Sequence, residues 1–238
     1  MRIAISGYGK MGKAVEEIAL ERGHSISLKF DSGNKNDWQE LNESNTDVII
    51  DFSTPDSVLR NISQSLDMKL PIVVGTTGWY DELENIKKKV TEKNGALLWA
   101  SNFSIGVNIF FELNRQLAGL MSNRDQYNAA IKEIHHVHKL DSPSGTAISL
   151  ANDLINLHST YSHWRLGENN LPNVLPIRAD RIDEVPGTHS VTYASEIDEI
   201  KIEHVAKSRK GFASGAVIAA EWLYKKSGFF NMSDVLKR

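Results

Sequence analysis

The segment Glu133-Ile134-His135-His136-Val137-His138-Lys139-Leu140-Asp141-Ser142-Pro143-Ser144-Gly145-Thr146-Ala147 places three of the chain's eight histidines within four positions, beside a lysine. An imidazole with a pKa near 6.5 can give or take a proton at neutral pH, and a lysine can stabilise charge as it forms. Ser142-Pro143-Ser144-Gly145-Thr146 reads as a turn into a helix N-terminus, whose free N–H groups suit a carboxylate. Two other readings stand beside acid–base chemistry. One is a solvated strand end. The other is an ion shared by His136 and His138, which lie on one face if the strand continues through them, with His135 on the other. No cysteine or obvious carboxylate pair completes a metal set, although Glu133 and Asp141 are close, and no metal is expected.

A second group lies near the N-terminus. Gly7-Tyr8-Gly9-Lys10-Met11-Gly12 matches G-x-G-x-x-G, follows a short apolar strand and opens a helix. Glycines there let the backbone turn tightly and approach a pyrophosphate, while the helix N-terminus offers N–H groups and a partial positive charge. Asp31 follows Gly7 by 24 residues, near the spacing of an acid that accepts from the adenosine ribose and repels a 2′-phosphate. That favours NADH over NADPH. Lys10 and Lys35 can offset the repulsion, so both cofactors stay open.

The elements that must carry these residues alternate. Ile3 to Ser6 is a strand, and the helix after the glycine turn faces Met11, Ala14, Val15, Ile18 and Ala19 inward. Ile26, Leu28 and Phe30 alternate with polar residues toward Asp31, a second strand. Val48-Ile49-Ile50 is a continuous apolar run, as in a parallel strand covered on both faces. It ends at Asp51-Phe52-Ser53, where Thr54-Pro55-Asp56 supplies an N-cap, a first-turn proline and an acid. Pro71 to Val74 ends in Gly75-Thr76-Thr77-Gly78, and Ala96 to Ala100 in Ser101-Asn102-Phe103, with a helix bearing Leu83, Ile86 and Val90 between them. This alternation predicts a doubly wound parallel sheet with its ligand at the carboxyl ends of the strands.

Beyond Phe103 the pattern changes. A helix from about Val107 to Met121, a strand from about Asn128, and a helix from Ser144 to Leu157 are expected. Residues 158–186 read as irregular. Ser190 to Ala194 and Glu199 to Ala206 read as an antiparallel pair, and Phe212 to Lys226 as a last helix. The fold class is therefore α/β: an N-terminal Rossmann-like doubly wound parallel sheet, followed by an α+β domain with a mixed sheet.

Bulk properties narrow the function. The chain has 238 residues, 41% hydrophobic and 24% charged, with a formal charge of −3. That gives no broad basic footprint for nucleic acid or an anionic membrane. The absence of cysteine excludes disulfides, thiolate catalysis and cysteine-held metal. No apolar run is long enough for a transmembrane helix, and the N-terminus reads as a strand rather than a signal peptide. A cytoplasmic location is expected.

The segment from Glu133 to Ala147 closely resembles the E-x-H-H-x-x-K-x-D-x-P-S-G-T-A signature of the 4-hydroxy-tetrahydrodipicolinate (dihydrodipicolinate) reductase family. Gly9-Lys10-Met11-Gly12, Asp51-Phe52-Ser53-Thr54-Pro55, Gly75-Thr76-Thr77-Gly78 and Ser101-Asn102-Phe103-Ser104-Ile105-Gly106-Val107-Asn108 follow the family's order. The chain departs from many members in its compact glycine turn and in being shorter between Phe30 and Val48. The resemblance implies reduction of a cyclic imino dicarboxylate to tetrahydrodipicolinate by NADH or NADPH, in the diaminopimelate route to lysine. It implies His135 as general acid, assisted by Lys139, with His136, Lys139, Ser144, Gly145 and Thr146 on the substrate. Gly7 to Gly12, with Tyr8, Lys10 and Met11, would meet the pyrophosphate and Asp31 the ribose. Phe52, Gly75, Thr76, Thr77, Ala100, Ser101, Asn102 and Phe103 would lie near the nicotinamide. It further implies hinged domains at 1–104 and 105–208, the second for substrate and oligomerisation, a C-terminal helix of about 209–238 returning to the first, and a homotetramer. Two alternatives are a reductase or dehydrogenase of another small amino-acid-like substrate, and a non-catalytic NAD(H)-sensing protein. Against the sensor, no basic helix-turn-helix is evident.

Overall fold

The computed structural model describes residues 1–31, 33, 35–167, 171–208 and 210–237. They form two compact units, Met1–Ile105 with Lys210–Arg238, and Gly106–Arg209.

In the first unit, β1 (Arg2–Ser6), α1 (Lys10–Glu21), β2 (Ser25–Phe30), β3 (Val48–Asp51), α2 (Pro55–Asp67), β4 (Ile72–Val74), α3 (Leu83–Glu92) and β5 (Ala96–Trp99) alternate as their apolar periodicity requires. The strands pair in parallel in the order β5-β4-β3-β1-β2. The direction of winding reverses between β1 and β3, and crevices for ligands open at such a point. Ile3, Ile5, Val48 and Ile50 face one core layer; Ala4, Ile49, Ile72 and Leu97 face the other. Burial on both sides explains the uninterrupted apolar runs.

The chain returns to this unit through α6 (Lys210–Leu223), β11 (Gly228–Asn231) and α7 (Met232–Leu236). Ala213, Ala216, Val217, Ala219, Ala220 and Leu223 of α6 fill the same layer as α1. At Gly215 the helix lies against the Ser101–Phe103 loop so closely that a Cβ would stand 1.7 Å from the Phe103 carbonyl oxygen. β11 adds a sixth parallel strand beside β5, which the sequence reading did not anticipate.

The second unit contains α4 (Ile105–Met121), β6 (Asn128–His135), α5 (Gly145–Leu157), β7 (His163–Leu166), β8 (Val174–Arg181), β9 (Thr188–Ala194) and β10 (Glu199–Val205). Its sheet runs β10-β9-β6-β8-β7, antiparallel from β10 through β6 and parallel from β6 to β7. Two strands, β7 and β8, thus stand within the stretch 158–186 that reads as irregular. β7 is only four residues long, with polar His163 and Arg165 alternating with Trp164 and Leu166, and β8 holds Pro176, which withholds a ladder donor; both strands were obscured. Ala129, Ile131, Leu175, Ile177, Val191 and Tyr193 pack against Ala147, Leu150, Ala151 and Leu154 of α5.

Candidate active site

Within the first unit, the functional candidates line two adjoining clefts at the carboxyl ends of β1, β2, β3 and β4. One, of about 410 Å³, is bordered by Gly7, Tyr8, Gly9, Asp31 and Phe52. The other, of about 360 Å³, adds Lys10, Met11, Gly75, Thr76 and Thr77. Gly7, Gly9, Phe52 and Ser53 border both.

The glycines differ in what they do. Gly7 has φ +86°, and a Cβ there would lie 2.2 Å from the Phe52 carbonyl oxygen, so only glycine fits. Gly12 abuts the Gly7 carbonyl at 2.5 Å in the same sense. At Gly9 a Cβ would meet nothing within 4 Å. Gly9 caps α1 without a side-chain hydrogen bond, and the first turn holds no acid. Open space before uncapped N–H groups is what an anionic ligand needs.

Asp51, which the sequence reading left unassigned, ties the strand ends together. Its buried carboxylate accepts from Thr76 Oγ1 at 2.6 Å, Asn61 Nδ2 at 2.8 Å and Ser53 Oγ at 2.8 Å. The Thr76 hydroxyl is therefore turned inward, leaving Gly75 and the exposed Thr77 to face the cleft. A Cβ on Gly75 would stand 2.2 Å from the Phe52 ring, which meets Phe103 edge-on at 6.0 Å. Ala100, Ser101, Asn102 and Phe103 follow the end of β5 but border neither cleft. Asp31 is exposed and accepts from the Gly33 N–H at 2.7 Å. Arg60 of α2 borders the same cleft as Asp31, a cation the sequence reading missed. The side chain of Lys35 lies outside the described residues.

In the second unit, the alternation that buries Ala129 and Ile131 also carries Glu133 and His135 to the same face of β6. The same rule places His189 with Val191 and Tyr193 on β9, and Arg181 with Leu175 and Ile177 on β8. Pairing then sets Glu133 opposite His189, and His135 opposite Arg181. β6 ends at His135, so His136 and His138 do not share a strand face; residues 136–139 form a turn closed by Lys139 N to His136 O at 3.1 Å.

Glu133 is fully buried at the centre. Both its oxygens accept from the Ser144 N–H at 3.1 Å, and Oε1 lies 3.3 and 3.4 Å from the Arg181 guanidinium. Oε2 stands 3.5 Å from His135 Nδ1 and 3.6 Å from His189 Nε2. Burial alone would raise this carboxyl, but the contacts from His189 and Ser144 and the neighbouring His135 outweigh it and hold the pKa at about 2. Burial pushes the His135 imidazolium down. Glu133 opposes that, but His189, Lys139 and Arg181 add to it, and the result is about 4.

Ser144 is buried, its hydroxyl accepting from Ala147 N at 3.2 Å as the α5 N-cap and meeting His189 Nε2 at 3.1 Å. Gly145 and Thr146 remain accessible at the helix N-terminus. Lys139 Nζ pairs with Asp141 at 2.7 Å, and Arg181 braces the loop by donating to the carbonyls of Asp141 at 2.6 Å and Lys139 at 3.4 Å. Glu133, His135 and His189 bring potential metal donors within 4.8 Å of one another. The carboxylate, however, already serves Ser144 and Arg181, and the guanidinium repels a cation.

A Rossmann-type sheet with a glycine turn, joined in one chain to a mixed sheet bearing a buried cluster of Glu133, His135 and His189, is the plan of a two-domain nucleotide-binding oxidoreductase. The chain belongs to the dihydrodipicolinate reductase family: residues 1–103 match the family's N-terminal model and residues 106–236 its C-terminal model. It is 49% identical over 236 residues to the 4-hydroxy-tetrahydrodipicolinate reductase of Christiangramia forsetii, covering 99% of this chain and 98% of that one. The enzyme of the same name from Thermosipho africanus is 36% identical over 246 residues, covering 100% and 98%. A dipicolinate-bound dihydrodipicolinate reductase from Paenisporosarcina shares the fold, with a TM-score of 0.80 at 21% identity, covering 98% of each chain.

Proposed function

We propose that this chain reduces the cyclic imino dicarboxylate 4-hydroxy-tetrahydrodipicolinate to tetrahydrodipicolinate with NADH or NADPH, in the diaminopimelate route of lysine biosynthesis. The observation that carries this reading is the end of β6. There a protonatable His135 stands 3.5 Å from the buried Glu133 carboxylate, which also accepts from the Ser144 N–H at the start of α5, where Gly145 and Thr146 are accessible.

The first unit is the dinucleotide domain in this reading and the second the substrate domain. Open space at Gly9 and the uncapped α1 N-terminus fit a pyrophosphate, and Asp31 fits a ribose. Phe52, Gly75, Thr77 and the end of β5 serve the nicotinamide side. A bound NADH or NADPH supplies the hydride, and Asp31 favours NADH. On the substrate side, the α5 N-terminus at Gly145 and Thr146 takes one carboxylate, with His136 and Lys139 as cationic or donor partners. Hydride addition leaves negative charge on the substrate ring; Lys139 stabilises it and His135 delivers the neutralising proton. A cytoplasmic homotetramer completes the proposal, and light scattering checks the assembly.

The test is a coupled assay. Pyruvate and aspartate semialdehyde, condensed by the preceding synthase, supply fresh substrate while NADH or NADPH absorbance is followed. Synthase-dependent oxidation, lost when His135 and Lys139 are both replaced, is the expected result. Tight dinucleotide binding without oxidation would move the chain to another substrate or to a sensor.

A further inference from the structure

The two ring nitrogens of His135 stand in different surroundings. Nδ1 is buried, makes no hydrogen bond, and lies 3.5 Å from Oε2 of Glu133. Nε2 lies beside Gly187, where an added Cβ would stand 3.1 Å from it. One nitrogen therefore faces a carboxylate inside the sheet, and the other faces a backbone position that carries no side chain.

Glu133 cannot move far to suit another partner. Ser144 N and Arg181 hold it from two directions, and His189 faces it across the β6–β9 ladder. Its charge is also set against the rest of the neighbourhood. The groups facing His135 are Arg181 from β8, His189 from β9 and Lys139 from the loop, and all three disfavour the imidazolium; Glu133 favours it.

We propose that Glu133 is a positioning residue: it holds the Nδ1 proton of His135 and so makes Nε2, beside Gly187, the nitrogen that exchanges a proton with substrate. Which imidazole nitrogen is protonated in the neutral ring is set by the partner of the other. In the charged ring, the Nδ1–H stays beside the Glu133 carboxylate, which stabilises it by charge, while the Nε2–H bond breaks and its proton passes to the substrate ring charged by hydride. The imidazole left behind is neutral, with Nδ1–H retained, and water returns a proton to Nε2. This rests on His135 being the proton donor proposed above.

Nitrogen-15 NMR of labelled histidine in the ligand-free protein reads the tautomer without any turnover. The expected result above about pH 7 is Nδ1–H with unprotonated Nε2 at His135. In Glu133→Gln, which keeps the shape but removes the charge, the Nδ1–H preference is lost and the ring titrates at lower pH. The same change should lower kcat by on the order of 10²-fold with substrate KM within a few-fold, and move the basic limb of the kcat profile to lower pH. Glu133→Asp, which keeps the charge, restores the tautomer. An Nε2–H tautomer in the unmodified protein overturns the proposal, and that measurement needs no variant to fold. An unchanged tautomer and titration in Glu133→Gln overturns it as well. Unchanged turnover in His135→Gln would instead remove the general-acid reading itself, a separate failure.

Discussion

Replacing His135 by glutamine should make the second unit less sensitive to acid, even though a buried residue is being removed. The ordinary imidazole pKa of 6.5 falls to about 4 in the folded protein. The unfolded chain therefore takes up the proton first as pH falls. The stability tied to the neutral buried ring is complete above about 6.5 and is lost between there and about 4. At ~1.36 kcal/mol per pKa unit the whole loss is roughly 3 kcal/mol, of which about 2 kcal/mol is gone near pH 5. Glu133 titrates in a lower window, from its ordinary 4.5 to about 2, so it hardly contributes near pH 5. Hydrogen exchange of the β6 and α5 amides near pH 8 and near pH 5, corrected for intrinsic rates, reads the opening free energy of the second unit in both proteins. The parent should weaken between the two conditions by about 2 kcal/mol more than His135→Gln. Any constant offset from lost packing cancels in the comparison. Equal weakening would refute the argument that burial, Arg181 and Lys139 keep this imidazole neutral.

Other consequences follow from the same geometry. A dicarboxylate such as pyridine-2,6-dicarboxylate should raise the His135 pKa on binding, so calorimetry near pH 6 in two buffers should detect uptake of roughly half to one proton. His135→Gln should abolish that uptake, and its persistence would assign the proton elsewhere. Gly7→Ala should destabilise by on the order of 1–3 kcal/mol or more, since it combines a positive φ with backbone overlap. Gly9→Ala should leave the melting temperature nearly unchanged yet weaken dinucleotide binding about tenfold, or about 1.4 kcal/mol. Equal melting losses in the two glycine variants would contradict the distinction. Asp31→Ala should weaken NADH binding about tenfold and NADPH binding less. Equal losses by fluorescence titration would remove the ribose contact.

Local signals carry the first unit well. Runs such as Val48-Ile49-Ile50 are apolar throughout because both faces of a parallel strand are covered, and Thr54-Pro55 marks the start of α2 in the sequence itself. Where local signals are weak, elements were lost. β7 is four residues long and mostly exposed, β8 holds Pro176, and β11 is a four-residue strand that exists because β5 offers it a free edge. Such strands are fixed by what lies beside them, and propensity says little about that.

The candidate site divides along the same line. His135 and Lys139 stand out by type and spacing, and so does the turn into α5. What holds them does not stand out, because Arg181 and His189 lie 48 and 56 residues beyond Glu133 and meet it only through strand register. A one-residue slip of β8 or β9 would turn either side chain to the opposite face and leave Glu133 a buried, underpaired carboxylate. The apolar residues at Ile177, Val191 and Tyr193 are what forbid that slip, since they would leave the core with it. The packing that stabilises the sheet is thus also what fixes the charge beside His135. Substitutions in that core, far from any substrate, are therefore expected to perturb the imidazole through register before they unfold the unit.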